Sequence, residues 1–383
     1  MSRHLDVKLI RETLTALLLA LIADSIAGYI MNRHIEIFRL IPGLLMIVPA
    51  LIDMRGNIYG AFVARLSSKL HLGEIKNLRD KKVKIGVKSV QSLAYSAAFV
   101  VGIFAGIFAF LSTEKLIYVL FIPAIILTTN FFTTSILSPL TAFIGIKSYQ
   151  KGWNPDNVGV PLISSIGDLV TVLFIIAVGY IFLFIFHIPI LIVGILSAIL
   201  LYTLFTGKKV LKDDEGRKVY IQSMPILLLI AFLELITGGL WETNKIGIIL
   251  LILPPTLETL GNIGSVYSSR LSSFIYLGFV EPSLVLRGKY IRKEIFSIFI
   301  LSVIVYSLIS IFVFGISRSL KSIFMIWSSA FLSIFLILII SYYLTVGCLR
   351  LKLDPDNVVV PIITTLVDII GTISIILFYT LIF

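Results

Sequence analysis

The sequence predicts an all-α, polytopic membrane protein: about eleven transmembrane helices, arranged as two parallel five-helix repeats joined by one linking helix. Three observations predict it. The chain of 383 residues is 58% hydrophobic and only 14% charged, with a mean hydropathy of +1.05, which no soluble domain of this length matches. Its apolar residues fall in runs long enough to cross a bilayer. The same motif also occurs twice, 200 residues apart, as NPDNVGVP at 154–161 and DPDNVVVP at 354–361.

The apolar runs justify the elements in order. They lie near 10–31, 37–64, 90–111, 116–146, 160–186, 188–206, 221–241, 246–269, 294–316, 322–346 and 359–383. The first contains Leu14–Ile30, which is long and lacks the small-residue cleavage site of a signal peptide, so it reads as a retained span. Several runs exceed the roughly 20 residues of a straight crossing, so tilt or a break is expected. The first five runs form one repeat over residues 1–186. The run 188–206 is separated from its predecessor only by the turn His187–Pro189, and belongs to a linking segment, 187–220, that ends in the solvated Asp213-Asp214-Glu215. The last five runs form a second repeat over 221–383.

Loop charges test this count. One set of alternate loops holds 25 Lys and Arg, the other set holds six, and Arg55 lies inside a span. The positive-inside rule then places the N-terminus in the cytoplasm and the C-terminus outside the cell membrane. The net charge of +11 is explained by those loops, so no nucleic-acid partner is implied. A single Cys348 excludes a disulfide framework. The scattered His4, His34, His71 and His187 give no zinc-type site.

A second pair of motifs supports the duplication. Residues 49–68 read PALIDMRGNIYGAFVARLSS and residues 254–273 read PPTLETLGNIGSVYSSRLSS. Pro49 matches Pro254, Asp53 matches Glu258, Gly56-Asn57 matches Gly261-Asn262, and Arg65 matches Arg270. Five spans plus one linking span make an even number, so the second repeat enters the membrane in the same direction as the first. Were 188–206 re-entrant, the repeats would be inverted; the loop charges speak against that.

The candidate site residues are the polar interruptions of these runs. Asp168 and Asp368 each follow the proline of their motif by seven residues, inside an apolar run. An acid in a membrane span is costly and marks function by default. In register, the two read as one cation site made by both repeats, with pairing to Ser164 or Thr364 as the bland alternative. Asn57 and Asn262, each after a glycine, add neutral amide ligands beside a weakened helix. Asp53, Glu258, Asp24 and Glu234 read as cavity-lining acids. Arg55 has no basic counterpart, since Leu260 stands in its place; it reads either as a fixed charge beside the cation path, neutralised by Asp53 or Asp24, or as a snorkelling anchor. Asp156 and Asp356 read as helix caps. Two membrane aspartates and Pro49-Ala50-Leu51 also superficially suit an intramembrane aspartyl protease. However, Ser165 replaces the glycine such a site uses, and a duplication is not needed for proteolysis.

The four motif blocks, in order and at matched offsets, resemble the membrane domain of the MgtE magnesium transporters, in the two-repeat form of the eukaryotic solute-carrier branch. The resemblance implies a divalent cation, Mg²⁺ before others, as the transported ion, with Asp168 and Asp368 similar to the magnesium-binding aspartate of that pore. It implies transport rather than enzyme activity, no organic cofactor, and a single chain that does the work of a dimer. MgtE proteins carry a cytosolic sensor module with CBS domains. Only about a dozen residues precede the first span here, and the cytosolic stretch 67–89 is too short for such a module, so its gating does not carry over.

Overall fold

The computed structural model describes residues 2–152, 155–276, 289–351 and 355–383. Among them are twelve α-helices and no strand: α1 Ser2–Arg33, α2 Ile35–Leu40, α3 Ile47–His71, α4 Lys81–Thr113, α5 Tyr118–Gln150, α6 Pro155–Phe184, α7 Pro189–Leu211, α8 Asp214–Thr243, α9 Gly247–Tyr276, α10 Lys289–Ser317, α11 Leu320–Arg350 and α12 Pro355–Ile382. Nine helices among the described residues are long and apolar enough to cross a membrane. The protein is a multi-pass membrane protein. α3 is not one of the nine; Asp53, Arg55 and Asn57 interrupt its apolar run.

One predicted run departs from a single helix. The segment 37–64 is α2, a non-helical stretch at 41–46, and α3. Pro42 lacks an N–H, and Gly43 turns the chain at φ 81°, which glycine alone adopts without strain. The exposed amides of the break are satisfied from α8: Gly43 N donates to Glu242 Oε1 at 2.8 Å and Leu45 N to Oε2 at 3.1 Å. Lys245 holds the same carboxylate at 2.5 Å. By contrast, α3 and α9 run unbroken through Gly56-Asn57 and Gly261-Asn262.

The chain divides into two compact units. The first comprises residues 1–23 and 33–245, the second residues 24–32 and 246–383. This packing division cuts across the sequence repeats. α8, most of which falls in the expected second repeat, packs on α3 and α4. The end of α1 joins α9–α12. A glycine marks each contact. A Cβ on Gly238 would overlap the Met46 carbonyl, and one on Gly28 would overlap the Leu251 carbonyl. Met46 and Leu251 are equivalent positions, three residues before the motif prolines.

Small residues carry the remaining helix packing, as they must where lipid competes equally for apolar side chains. Gly102 and Gly106 of α4 admit α5 closely: a Cβ on Gly102 would lie 3.0 Å from Pro123 Cα. α7 touches α4, α5 and α8 along one edge only. Its remaining surface is apolar and open, with Ile190 at 83% and Leu204 at 69% exposure, as befits a lipid-facing linker.

Candidate cation-binding site

In the first unit the site is built on α3, α5 and α6. α3 and α6 run antiparallel: Val63 faces Gly159, Gly56 faces Ser164, and Ile37 and Leu44 before α3 face Gly179. Asp168 lies four residues past Ser164, about 6 Å along α6, which brings it to the level of Ile52 and Asp53. Asp168 is 4% exposed. On α3, Asn57 Nδ2 donates to the Asp53 carbonyl and to Asp53 Oδ2, both at 3.0 Å. This i,i+4 bond fixes the amide with its oxygen as the remaining ligand atom. Asp53 and Asn57 are both half-buried.

The second unit repeats this geometry on α9 and α12. Gly261 faces Thr364, Gly264 faces Ile363, and Gly371 faces Leu257 and Leu260. That register sets half-buried Asp368 near the level of Glu258. Asn262 Nδ2 donates to Glu258 Oε1 at 3.2 Å. Each unit therefore holds a carboxylate–amide pair on one helix and an aspartate at the same level on the helix beside it.

The units differ at Arg55. Its side chain is 2% exposed, so it does not reach for a headgroup. It points to α5, where Nη2 donates to Thr133 Oγ1 at 2.6 Å. By the register of Gly56 with Ser164, Asp168 stands within one turn of its level on α6. Asp24 belongs to the other unit. The sequence reading missed the seam on α5 that receives Arg55. Thr129, Asn130, Thr133 and Thr134 are all buried, Thr134 bonds to Asn130 at 3.3 Å, and Tyr59 donates to Thr134 at 3.3 Å. Their spacing of three and four residues inside an apolar run is the signal that would have found them.

At the corresponding place in the second unit a small gap opens beside Leu260, with room for about one water molecule. It is lined by Leu260, Thr256, Tyr306, Ser329, Ser333 and Gly371 among others. Ser333 stands 200 residues after Thr133, the offset of the α6 and α12 motifs. Its hydroxyl is buried with no hydrogen-bond partner among the described residues. Where the first unit holds a guanidinium, the second holds Leu260 and the unanswered Ser333 hydroxyl among the described residues.

Asp24 and Glu234 are 1% and 0% exposed, each one turn before the close-packed Gly28 and Gly238. Asp24 falls in the second unit and Glu234 in the first, so each joins the unit opposite to its own repeat. Among the described residues, no group of three or more His, Cys, Asp or Glu side chains is placed to hold a metal ion. The side chains of Asp156 and Asp356 lie outside the described residues.

The sequence profile of MgtE, a divalent cation transporter, matches residues 48–178 and 253–378. Those segments contain the two α3/α6 and α9/α12 frameworks. Solute carrier family 41 member 2 of Macaca fascicularis is 24% identical over 94% of this chain and 68% of its own. Solute carrier family 41 member 3 of Mus musculus is 26% identical over 93% of this chain and 79% of its own. Rattus norvegicus solute carrier family 41 member 3 reaches 31% identity, over 38% of this chain and 33% of its own. No solved structure matches the chain.

Proposed function

The chain belongs to the MgtE family of divalent cation transporters, and on that premise we propose that it carries Mg²⁺ along a path between two pseudo-symmetric halves, using Asp168 and Asp368 as paired intramembrane ligands. The protein is a transporter and not an enzyme, so the protease reading lapses. The observation that carries the proposal is the duplicated constellation: Asp53–Asn57 beside Asp168, and Glu258–Asn262 beside Asp368.

The chemistry suits the ion. Mg²⁺ demands octahedral oxygen ligation, gives up water reluctantly, and is usually held by one or two carboxylates while keeping several waters. Paired aspartates, backed by the amide oxygens of Asn57 and Asn262, offer that without a closed cage. Asp53 and Glu258 hold the amides in place and add negative charge. Asp24 and Glu234 supply further negative potential to the cavity wall. Because an elementary charge falling through 100 mV gains about 2.3 kcal/mol, a divalent ion moving inward gains about 4.6 kcal/mol; uptake therefore needs no coupled ion.

In this reading the two halves are unequal. Arg55 places a permanent cation near Asp168, whereas nothing basic stands at Leu260. The first aspartate is partly neutralised before any ion arrives, and the site's affinity is set below that of two bare carboxylates. The repeats are parallel, the N-terminus faces the cytoplasm, and the C-terminus faces outside, as the loop charges require.

The test is flux of Mg²⁺ into proteoliposomes. Asp168→Asn and Asp368→Asn are each expected to lower flux about tenfold or more, with the elution profile in detergent unchanged. Wild-type flux in both variants removes the paired aspartates from the mechanism.

A further inference from the structure

We propose that the crevice where the end of α3 and the start of α4 meet the start of α8 binds a phosphate group, carried by an anionic lipid headgroup or by a free phosphate compound. The polar lining of this crevice is Arg65, Lys69, Lys82, Ser89 and Glu215. All of it lies within the first unit.

The argument rests on comparing the duplicated arginines. Arg270, in the second unit, is answered by the chain itself: Nη2 donates to Glu294 Oε2 at 2.9 Å, and that carboxylate on α10 is buried, with a side-chain exposure of 6%. Arg65, its equivalent on α3, has no such answer. α4, the equivalent of α10, contains no Asp or Glu from Lys81 to Thr113. The motif offset of 205 sets Glu294 at Ser89. The left-handed residues that end the two helices, Glu114 and Arg318, set it at Val90. Either register leaves a short neutral side chain where the second unit has a carboxylate. Arg65 makes no ion pair or side-chain hydrogen bond among the described residues.

The neighbours complete an anion site. Lys69 pairs with Glu215, and Lys82 with Glu74 at 2.7 Å, the latter with both side chains about half exposed. The exposed Lys82–Glu74 pair contributes little, so the Lys82 ammonium is available to a stronger acceptor, and the partly buried Lys69 adds positive charge to the lining. The planar guanidinium of Arg65 matches two phosphate oxygens at once. Lys81, Lys84, Lys88, Lys212, Arg217 and Lys218 lie on the same helix ends and raise the local anion concentration. A bound phosphate takes the part that Glu294 plays in the second unit, and ties α3, the helix bearing Asp53 and Asn57, to α4 and α8.

The experiment uses the full chain in nanodiscs of phosphatidylcholine. Phosphatidylglycerol is introduced into one series and inorganic phosphate is added to another. Native mass spectrometry reads retained ligand, and the thermal midpoint reads stabilisation. At least one probe is expected to bind and to raise the midpoint; phosphatidylglycerol alone identifies a headgroup, and inorganic phosphate identifies a soluble ligand. Arg65→Gln is expected to weaken that binding about tenfold. Ser89→Glu supplies the missing carboxylate, and is expected both to abolish binding and to raise the midpoint in phosphatidylcholine alone. Should Arg65→Gln not fold, Ser89→Glu decides. Binding of neither probe, or unchanged binding in Ser89→Glu, overturns the proposal.

Discussion

Arg55 is the residue at which the two halves part, and its surroundings give the difference a sign. A guanidinium buried beside a carboxylate lowers the local concentration of any second cation. At the effective dielectric of protein sites, one unit charge acting on a divalent ion 10 Å away is an effect of about 3 kcal/mol. Arg55→Leu copies the second half into the first. It is expected to tighten Mg²⁺ binding about tenfold or more by isothermal titration. Leu260→Arg brings a guanidinium into the second unit, towards the buried Ser333 hydroxyl, and is expected to weaken binding by a similar factor. Equal affinity in both variants and wild type shows that Arg55 is electrostatically remote from the ion. The acids, Arg55 and the two asparagines were legible in the sequence because each is an expensive interruption of an apolar run. The hydroxyl seam on α5 was not: Thr and Ser cost little in a helix that can accept their bonds four residues back, as Thr133 and Ser138 do at 2.8 and 2.7 Å.

The helices were legible as apolar runs in order, but α1, α4 and α8 begin seven to nine residues before those runs, because hydropathy marks the part of a helix that suits the bilayer and not its polar extension beyond it. The break at 41–46 was not, because hydropathy averages over Pro42-Gly43 and cannot register that Glu242, some two hundred residues away, satisfies the exposed amides. The pairing of α8 with α3 was equally hidden. Its signature is Gly238, where no side chain fits above the Met46 carbonyl, repeated by Gly28 above the Leu251 carbonyl. Overpacking a tight contact costs about 1–3 kcal/mol. Gly238→Ala and Gly28→Ala are each expected to lower the thermal midpoint in detergent and the yield of monodisperse protein. Gly239, one residue on, has open space where its Cβ would stand, so Gly239→Ala is the control and is expected to behave as wild type. If all three variants match wild type, these glycines are not the contacts that fasten α1 and α8.

At the scale of the molecule, sequence similarity and packing answer different questions. The duplicated motifs are alike, yet α8 and the end of α1 each pack in the unit that holds the other motif pair; similarity says nothing about which neighbour a helix chooses. This exchange makes the linking helix consequential. The second repeat begins with α8, whose partners are α3 and α4, and α7 must deliver its start to the ends of those helices, where Lys69 meets Glu215. α7 has 23 residues, about 34 Å at the helical rise, enough for the hydrocarbon core, and its exposed face is apolar. A complete crossing by α7 gives an odd number of spans and termini on opposite sides, with the basic loops inside. Alkaline phosphatase fused after Phe383 is therefore expected to be active and a fluorescent protein at the same point dark, with the reverse pattern for fusions made between α3 and α4 and within the segment joining α7 to α8. The basic segment 76–88 should likewise be protected from protease added to intact cells. Termini found on one side would mean that α7 does not cross, and the second repeat would then be inverted relative to the first. Asp168 and Asp368 would in that case be related by an axis in the membrane plane, and a single parallel pore built on both would have to be given up.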